Sequence, residues 1–402
     1  MTDFRTLDEL EKIDIKNKRV LVRVDLNVPM KGNEVADTTR LKAAGRTIKE
    51  ISDRGGKAIL LSHFGRPKGR DPNQSLRPVA AALARVLGRA VAFAGDCIGE
   101  VAEKAIAAMK PGDILCLENT RFYAGEEKND PEFARRLASL GELFVDDAFS
   151  VAHRAHASNT GIVSAKPMLA FAGRTMQAEL EMLGNVLEKP QRPLAAIVGG
   201  AKISTKLDLL GNLIEKVDVL IIGGGMANTF LAAQGKDMGK SLCETDLLPT
   251  AREIMKAAKQ KRREFVLPVD AVVAQKFEAN AASRVVDVDH IGADDMMLDI
   301  GPKSVGQVVS ALARTKTLVW NGPFGAFEIE PFDNATIEVA ETAAELTEAG
   351  KLVTVAGGGD TVAALNAAGV ADRLTYVSTA GGAFLEWLEG KPLPGVEALR
   401  IK

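Results

Sequence analysis

Leu194-Ala195-Ala196-Ile197-Val198 is an unbroken apolar run that leads straight into Gly199-Gly200-Ala201-Lys202-Ile203-Ser204-Thr205-Lys206. Five apolar residues with no polar alternation leave no solvent face, which suits a strand covered on both sides in a parallel sheet. The rhythm recurs downstream. Val219–Ile222 precedes Gly223-Gly224-Gly225, Thr317–Trp320 precedes Asn321-Gly322, and Leu352–Val355 comes shortly before Gly357-Gly358-Gly359-Asp360. Glu264–Leu267 and Leu374–Val377 read as further strands of the same half.

The first half follows the same pattern, with strands at Arg19–Val24, Ala58–Leu61, Ile114–Leu117 and Leu143–Val145 and helical periodicity near 40–53, 76–87, 98–108 and 131–140. Regular alternation of this kind predicts an α/β protein: two Rossmann-like three-layer αβα domains with mostly parallel sheets, joined by a hinge. The helix-like QAELEMLGNVLEK runs into Lys189-Pro190-Gln191-Arg192-Pro193, and proline stops a helix at or before the residue preceding it. Domains of 1–187 and 188–389 are expected, with the tail of about 390–402 returning to the first.

At 402 residues the chain is too long for one ordinary core, and 46% hydrophobic with 26% charged residues excludes a disordered or fibrous chain. The net charge of −2 gives no global field for nucleic acid or an anionic membrane, so neither is an expected partner. Cys97, Cys116 and Cys243 lie far apart and suit a reducing compartment. The opening MTDFRTLDELEK is acidic without an apolar stretch, and no apolar run reaches ~18 residues. A cytoplasmic protein is expected, with a monomer as the default.

Arginine is unevenly distributed: sixteen residues fall in 1–185 and eight in the remainder. The planar guanidinium fork suits carboxylate and phosphate. Arg40, His63, Arg66, Arg121 and Arg154 follow strands or sit in polar loops, and Asp25 and Asn27 close the first strand with acceptors and donors fit for a small polyol acid. In the second half, no P-loop and no G-x-G-x-x-G is present. Four strand-end glycine clusters instead let backbone N–H groups approach a phosphate. A helix beginning after Gly200 would set Lys202 and Lys206 one turn apart on one face. Asp360, at a helix start beside such a cradle, is either a cap or a ligand for Mg²⁺.

The strings RVDLNVP, LLSHFGRPKG, LENTRFYAGEEKND, DDAFSVAHRAHAS, GGAKISTK, GGGMANTF, WNGPFGAFE, AGGGDT and STAGGAFLEWLEGK together resemble the phosphoglycerate kinase family from end to end. The resemblance implies reversible phosphoryl transfer between 1,3-bisphosphoglycerate with ADP and 3-phosphoglycerate with Mg-ATP. It assigns 3-phosphoglycerate to Asp25, Asn27, Arg40, His63, Arg66, Arg121 and Arg154. It assigns nucleotide phosphates to Lys202 and Lys206, the adenosine to Gly223–Gly225 and Asn321–Glu328, with Glu328 on the ribose, and Gly357, Gly358, Gly359, Asp360 and Thr361 to the phosphate end. Asp360 would hold Mg²⁺, while Arg40, Lys206, Gly381 and Gly382 would face the transferring group. Four positions depart from the family strings: Ser150-Val151 where many members have Gly-Thr, Ala380 for the first glycine of STGGGA, and Thr205 where Asp is frequent. A carboxylate ligase or another acyl-phosphate kinase would pair similar halves; a two-lobed anion-binding protein would have no use for the Mg²⁺ ligand.

Overall fold

A computed structural model describes residues 4–401. The chain forms two compact units, one running to Glu181 and resuming at Pro392, the other spanning Met182–Lys391. The division falls inside the helix Arg174–Leu187.

The first unit contains β1 (Arg19–Arg23), the short hairpin β2 (Met30–Lys31) and β3 (Glu34–Val35), β4 (Lys57–Leu61), β5 (Ala92–Phe93), β6 (Ile114–Cys116), β7 (Leu143–Asp146) and β8 (Leu169–Ala172). Six of these form one sheet in the order β5-β6-β4-β1-β7-β8. Every pairing in it is parallel. Strand β1 is central, with Val22 opposite Leu60 on one side and Val145 on the other. Val20 and Val22 share a core with Ile48 and Leu83 from the helices Thr39–Asp53 and Arg77–Leu87. Leu21, on the opposite face, is equally buried, so both faces are covered. The C-terminal helix Pro394–Leu399 returns to this unit, where Gly395 N donates to Ala152 O at 2.8 Å.

The second unit is built from β9 (Leu194–Val198), β10 (Val219–Ile222), β11 (Glu264–Val266), β12 (Asp270–Ala274), β13 (Ser283–Asp287), β14 (Met296–Ile300), β15 (Thr317–Asn321), β16 (Val353–Gly357) and β17 (Tyr376–Ser378). Its six-stranded parallel sheet runs β11-β10-β9-β15-β16-β17. The order therefore reverses between β9 and β15, the position where such sheets open a crevice beyond their carboxyl ends. A separate antiparallel sheet, β13-β12-β14, is an addition that the apolar rhythm does not predict. Strands β5 and β8 were also missed. The first has two residues, and Leu169-Ala170-Phe171-Ala172 lacks the branched residues that mark a strand. Among the described residues no helix is long and apolar enough to cross a membrane. All three cysteines are free thiols.

At the reversal the chains ending β9 and β15 touch backbone to backbone. Gly199 N donates to Asn321 O at 2.8 Å, and a Cβ on Gly199 would lie 2.0 Å from Pro323 O. Gly322 has φ +103°, a region open to glycine, and a Cβ there would lie 2.2 Å from Gly199 O. Gly199→Ala is expected to destabilise the protein by roughly 3–5 kcal/mol, since no flexible neighbour can yield. Gly211→Ala, in the interior of Leu207–Lys216 with nothing within 4 Å, should stabilise by about 0.5–1 kcal/mol. Urea titrations of the two variants read both signs.

Candidate active site

In the first unit the polar groups gather at the carboxyl ends of β1, β4 and β6. The guanidinium of Arg23 is fully buried at the end of β1. Its Nε donates to Ser158 Oγ at 2.9 Å, its Nη1 to Val24 O at 2.6 Å, and its Nη2 meets His63 Nδ1 at 3.0 Å. Ser158 is held in turn by the buried carboxylate of Glu126, through its amide at 3.0 Å and its hydroxyl at 2.5 Å. Asn119 joins two strand-end loops: its Oδ1 accepts from Phe64 N and Arg121 N, and its Nδ2 donates to Phe64 O and Gln74 O.

On this frame sit the residues singled out from sequence. Arg40 Nη1 lies 3.1 Å from Asp25 Oδ2 and donates to Asn27 O at 2.7 Å. Asn27 Oδ1 accepts from Gly65 N at 2.9 Å, and Arg121 Nη1 donates to Gly65 O at 2.8 Å. Asp25, Asn27, Arg40 and Arg121 thus form one linked set. Arg66 follows Gly65 directly and is exposed. Arg154 is exposed and donates from Nε to His153 Nε2 at 3.1 Å. Burial, then the fields of Arg23 and Arg121, hold His63 well below the usual imidazole range. Burial with Arg23, Arg121 and Arg154 pushes His156 down to about 4. Both rings are therefore neutral at pH 7, which removes two charges from a crowd of arginines.

In the second unit two cavities lie beyond β9 and β15. The larger, about 460 Å³, has apolar walls at Leu242, Phe277, Met296 and Phe327, and Gly224, Gly225 and Glu328 also line it. The smaller, about 290 Å³, is lined by Lys202, Lys206, Asn321, Gly358, Gly359 and Thr361 among others. Gly200, Ala201 and Asp360 belong to both. Lys206 Nζ donates to Asn321 Oδ1, whose Nδ2 donates to Gly357 O at 2.7 Å. Burial pulls the Lys206 ammonium down from its ordinary range, against the opposing fields of Asp360 and Glu389. Gly322 N donates to Thr361 Oγ1 at 2.7 Å.

One geometric expectation is corrected. Lys202 and Lys206 do not share a helical face. Lys202 is extended, Ile203–Thr205 form a 3-10 turn, and the α-helix begins at Leu207. The lysines reach the same cavity because the buried Ile203 pins the turn and the Glu244 carboxylate holds Ser204 through its amide and hydroxyl. Asp360 is exposed in the first turn of Gly359–Ala367, and no described residue donates a hydrogen bond to its carboxylate, so the cap role has no support. Gly223, Gly357, Gly381 and Gly382 line neither cavity. Gly223 packs against Phe324, Gly357 accepts from Asn321, and Gly381, at φ +53°, opens the helix Gly382–Leu388 whose Leu385 reaches the smaller cavity.

A family model described as "Phosphoglycerate kinase" matches residues 10–391. Among curated relatives, a phosphoglycerate kinase of Xanthobacter autotrophicus is 64% identical over the full length of both chains. One of Methylorubrum extorquens is 61% identical, again over the full length of both. Solved phosphoglycerate kinase structures from Coxiella burnetii and Pyrococcus horikoshii superpose with TM-scores of 0.90 and 0.81, at 41% and 31% identity, each over 98% of both chains. The chain belongs to the phosphoglycerate kinase family.

The departures from the phosphoglycerate kinase strings are accommodated locally. Ala380 needs no left-handed backbone, because the positive φ falls on Gly381. Thr205 turns its hydroxyl onto Lys202 O at 2.8 Å. Ser150 donates to Asp25 Oδ2 at 2.6 Å. Sequence reasoning missed Arg23, Glu126, Asn119, Ser158 and His156, which support the candidate residues from beneath. It also missed Asp299 in the wall of the larger cavity, pushed up to about 8 by burial and accepting from Ile300 N and Ala335 N. Buried polar side chains of this kind carry no periodic signature; for all but Asp299, presence within the quoted strings was the only available signal.

His156 gives a pH prediction with a definite sign. Its folded value of about 4 lies below the ordinary 6.5, so the unfolded chain binds the extra proton between those limits. The stabilisation is present above pH 6.5 and is lost as pH falls toward 4. Unfolding free energies of wild type and His156→Gln, measured from pH 7.5 to 4, should diverge in slope across that window, with the variant flatter.

Proposed function

We propose that the two candidate sites hold the two substrates of one phosphoryl transfer, 3-phosphoglycerate on the first unit and the adenine nucleotide on the second. The reaction is that of the family: 1,3-bisphosphoglycerate and ADP exchange a phosphoryl group to give 3-phosphoglycerate and ATP, reversibly. The chain is a glycolytic kinase, a phosphotransferase with a carboxyl group as acceptor. The observation that carries the assignment of the nucleotide is the continuity of the two cavities through Gly200, Ala201 and Asp360. An apolar chamber joined to a lysine- and glycine-lined one suits a nucleoside with a phosphate tail.

Phosphoryl transfer asks the protein for positioning and charge neutralisation rather than covalent chemistry. Arg66, Arg121 and Arg154, with neutral His63 as a hydrogen-bond donor, grip the phosphate that stays. Asp25 and Asn27 orient the glycerate backbone, and Arg40 meets the carboxyl end. That acceptor is already ionised, so no general base is required. Glu328 takes the ribose, while Lys202, Lys206 and the Gly358–Thr361 turn meet the phosphates in the smaller cavity, and the amides at Gly381-Gly382, outside it, face the transferring group. Mg²⁺ typically uses one or two carboxylates and completes its shell with phosphate oxygens and water. A lone, unbonded Asp360 fits that demand, and among the described residues no cluster of three or more His, Cys, Asp or Glu offers an all-protein cage. When bound, the ion neutralises charge developing on the phosphoryl oxygens. The reading extends to closure of the two units about the hinge to exclude water, and to a monomeric cytoplasmic enzyme without nucleic-acid or membrane partners.

Two sets of kinetics test these roles. Arg66→Ala and Arg121→Ala should mainly raise KM for 3-phosphoglycerate, because the phosphate they grip keeps its charge through the reaction. Arg40→Ala should instead lower kcat by roughly 10²-fold or more, as the loss of an oxyanion donor does. A kcat unchanged in Arg40→Ala makes it one more binding residue. Asp360→Asn keeps size and removes charge; the Mg²⁺ concentration for half-maximal rate should rise, and an unmoved titration removes Asp360 from the metal site.

A further inference from the structure

Asp25 is held from three directions. Asn27 N donates to Oδ1 at 3.0 Å from the next turn of the same segment. Arg40 Nη1 spans both oxygens, 3.1 Å from Oδ2 and 3.4 Å from Oδ1. The third donor comes from far along the chain: Ser150 Oγ, in the Phe149–Val151 turn, reaches Oδ2 at 2.6 Å. A carboxyl torsion is broad and two-fold, so one grip on Oδ1 leaves the plane free to rock. A second grip on the other oxygen fixes it. Arg40 spends only Nη1 on Asp25 and Asn27, and its Nε and Nη2 engage no described residue. Arg40 alone is therefore a poor anchor, because a bound anion competes for it.

We infer that Ser150 is a positioning residue whose hydroxyl sets the plane of the Asp25 carboxylate, so that discrimination for the hydroxylated glycerate backbone depends on position 150 of this chain. A glycine at this position would have no hydroxyl to offer. The inference rests on the proposed reading that Asp25 faces 3-phosphoglycerate. With Oδ1 tied to Asn27 N and Oδ2 to Ser150, the remaining lone pairs point in fixed directions toward a substrate hydroxyl. Without Ser150 the carboxylate turns toward Arg40 and must be reoriented on each binding event.

Ser150→Ala should raise KM for 3-phosphoglycerate roughly fivefold, the worth of one net hydrogen bond, with kcat and KM for ATP within twofold of wild type. Its preference for 3-phosphoglycerate over the analogue lacking the C2 hydroxyl should narrow by a similar factor, and Ser150→Thr should restore most of both. In an Asp25→Ala background the Ser150→Ala change should have no further effect. A thermal melt establishes that each variant is folded. If Asp25→Ala raises KM while Ser150→Ala moves neither KM nor the analogue preference, the inference about Ser150 fails and the reading of Asp25 stands. If Asp25→Ala leaves KM for 3-phosphoglycerate unchanged, both fail together.

Discussion

The second unit depends on a place where two backbones come closer than any side chain permits. Gly199 at the end of β9 and Gly322 at the end of β15 meet with a methyl's clearance missing on both sides. Parallel strands bring all their carboxyl ends to one edge, and the reversal of strand order at β9/β15 parts the connections that leave that edge. Close contact at the base of the gap holds Asn321 directly beneath it, so that one amide can orient Lys206 with its oxygen and tie to Gly357 with its nitrogen. The next glycine, Gly224 at φ +67°, would carry a Cβ 2.5 Å from Gly200 O and so keeps the two turns stacked. Side-chain chemistry in this half is built on backbone proximity.

The first unit solves a different problem, that of collecting cations without repulsion. Arg23 is buried, yet it does not face the solvent as a ligand would; it is surrounded by Ser158, His63 and a backbone carbonyl, with the Glu126 carboxylate one bond beyond. Burial raises the Glu126 carboxyl, and Arg23 works against that rise. A buried charge is tolerable when its hydrogen-bonding positions are filled and a counter-charge is near. Keeping His63 and His156 neutral lowers the positive density further. Arg66 and Arg154 are left exposed, free of that internal bookkeeping.

Much of the fold was legible because fully apolar strand runs such as Leu194–Val198 and Val219–Ile222 are unambiguous when glycine clusters follow them. The two parallel sheets of the α/β architecture follow from that rhythm and agree with the family's solved structures. Strand Ser283–Asp287 was invisible, since it is largely exposed and offers no apolar run. The lysine geometry was misread because spacing alone cannot distinguish an α-helix from an extended residue followed by a 3-10 turn. That distinction is made by Glu244, forty residues away, which no local pattern announces. The candidate side chains stood out by charge and strand-end position; of their supports, Asn119 and Ser158 are uncharged, and nothing in the local sequence marks Arg23 and Glu126 as buried.

The return of the chain beyond Pro392 to the first unit also has a bearing on synthesis. Domains generally fold as units while the chain emerges, the N-terminal one first. Here the second unit is contiguous, whereas the first has its turn at Phe149–Gly161 packed against a helix made more than two hundred residues later. The nascent first unit must therefore persist with an uncovered patch while the second unit is translated and folds. Its final packing waits for Gly395 to reach Ala152, so the half made first is the half finished last.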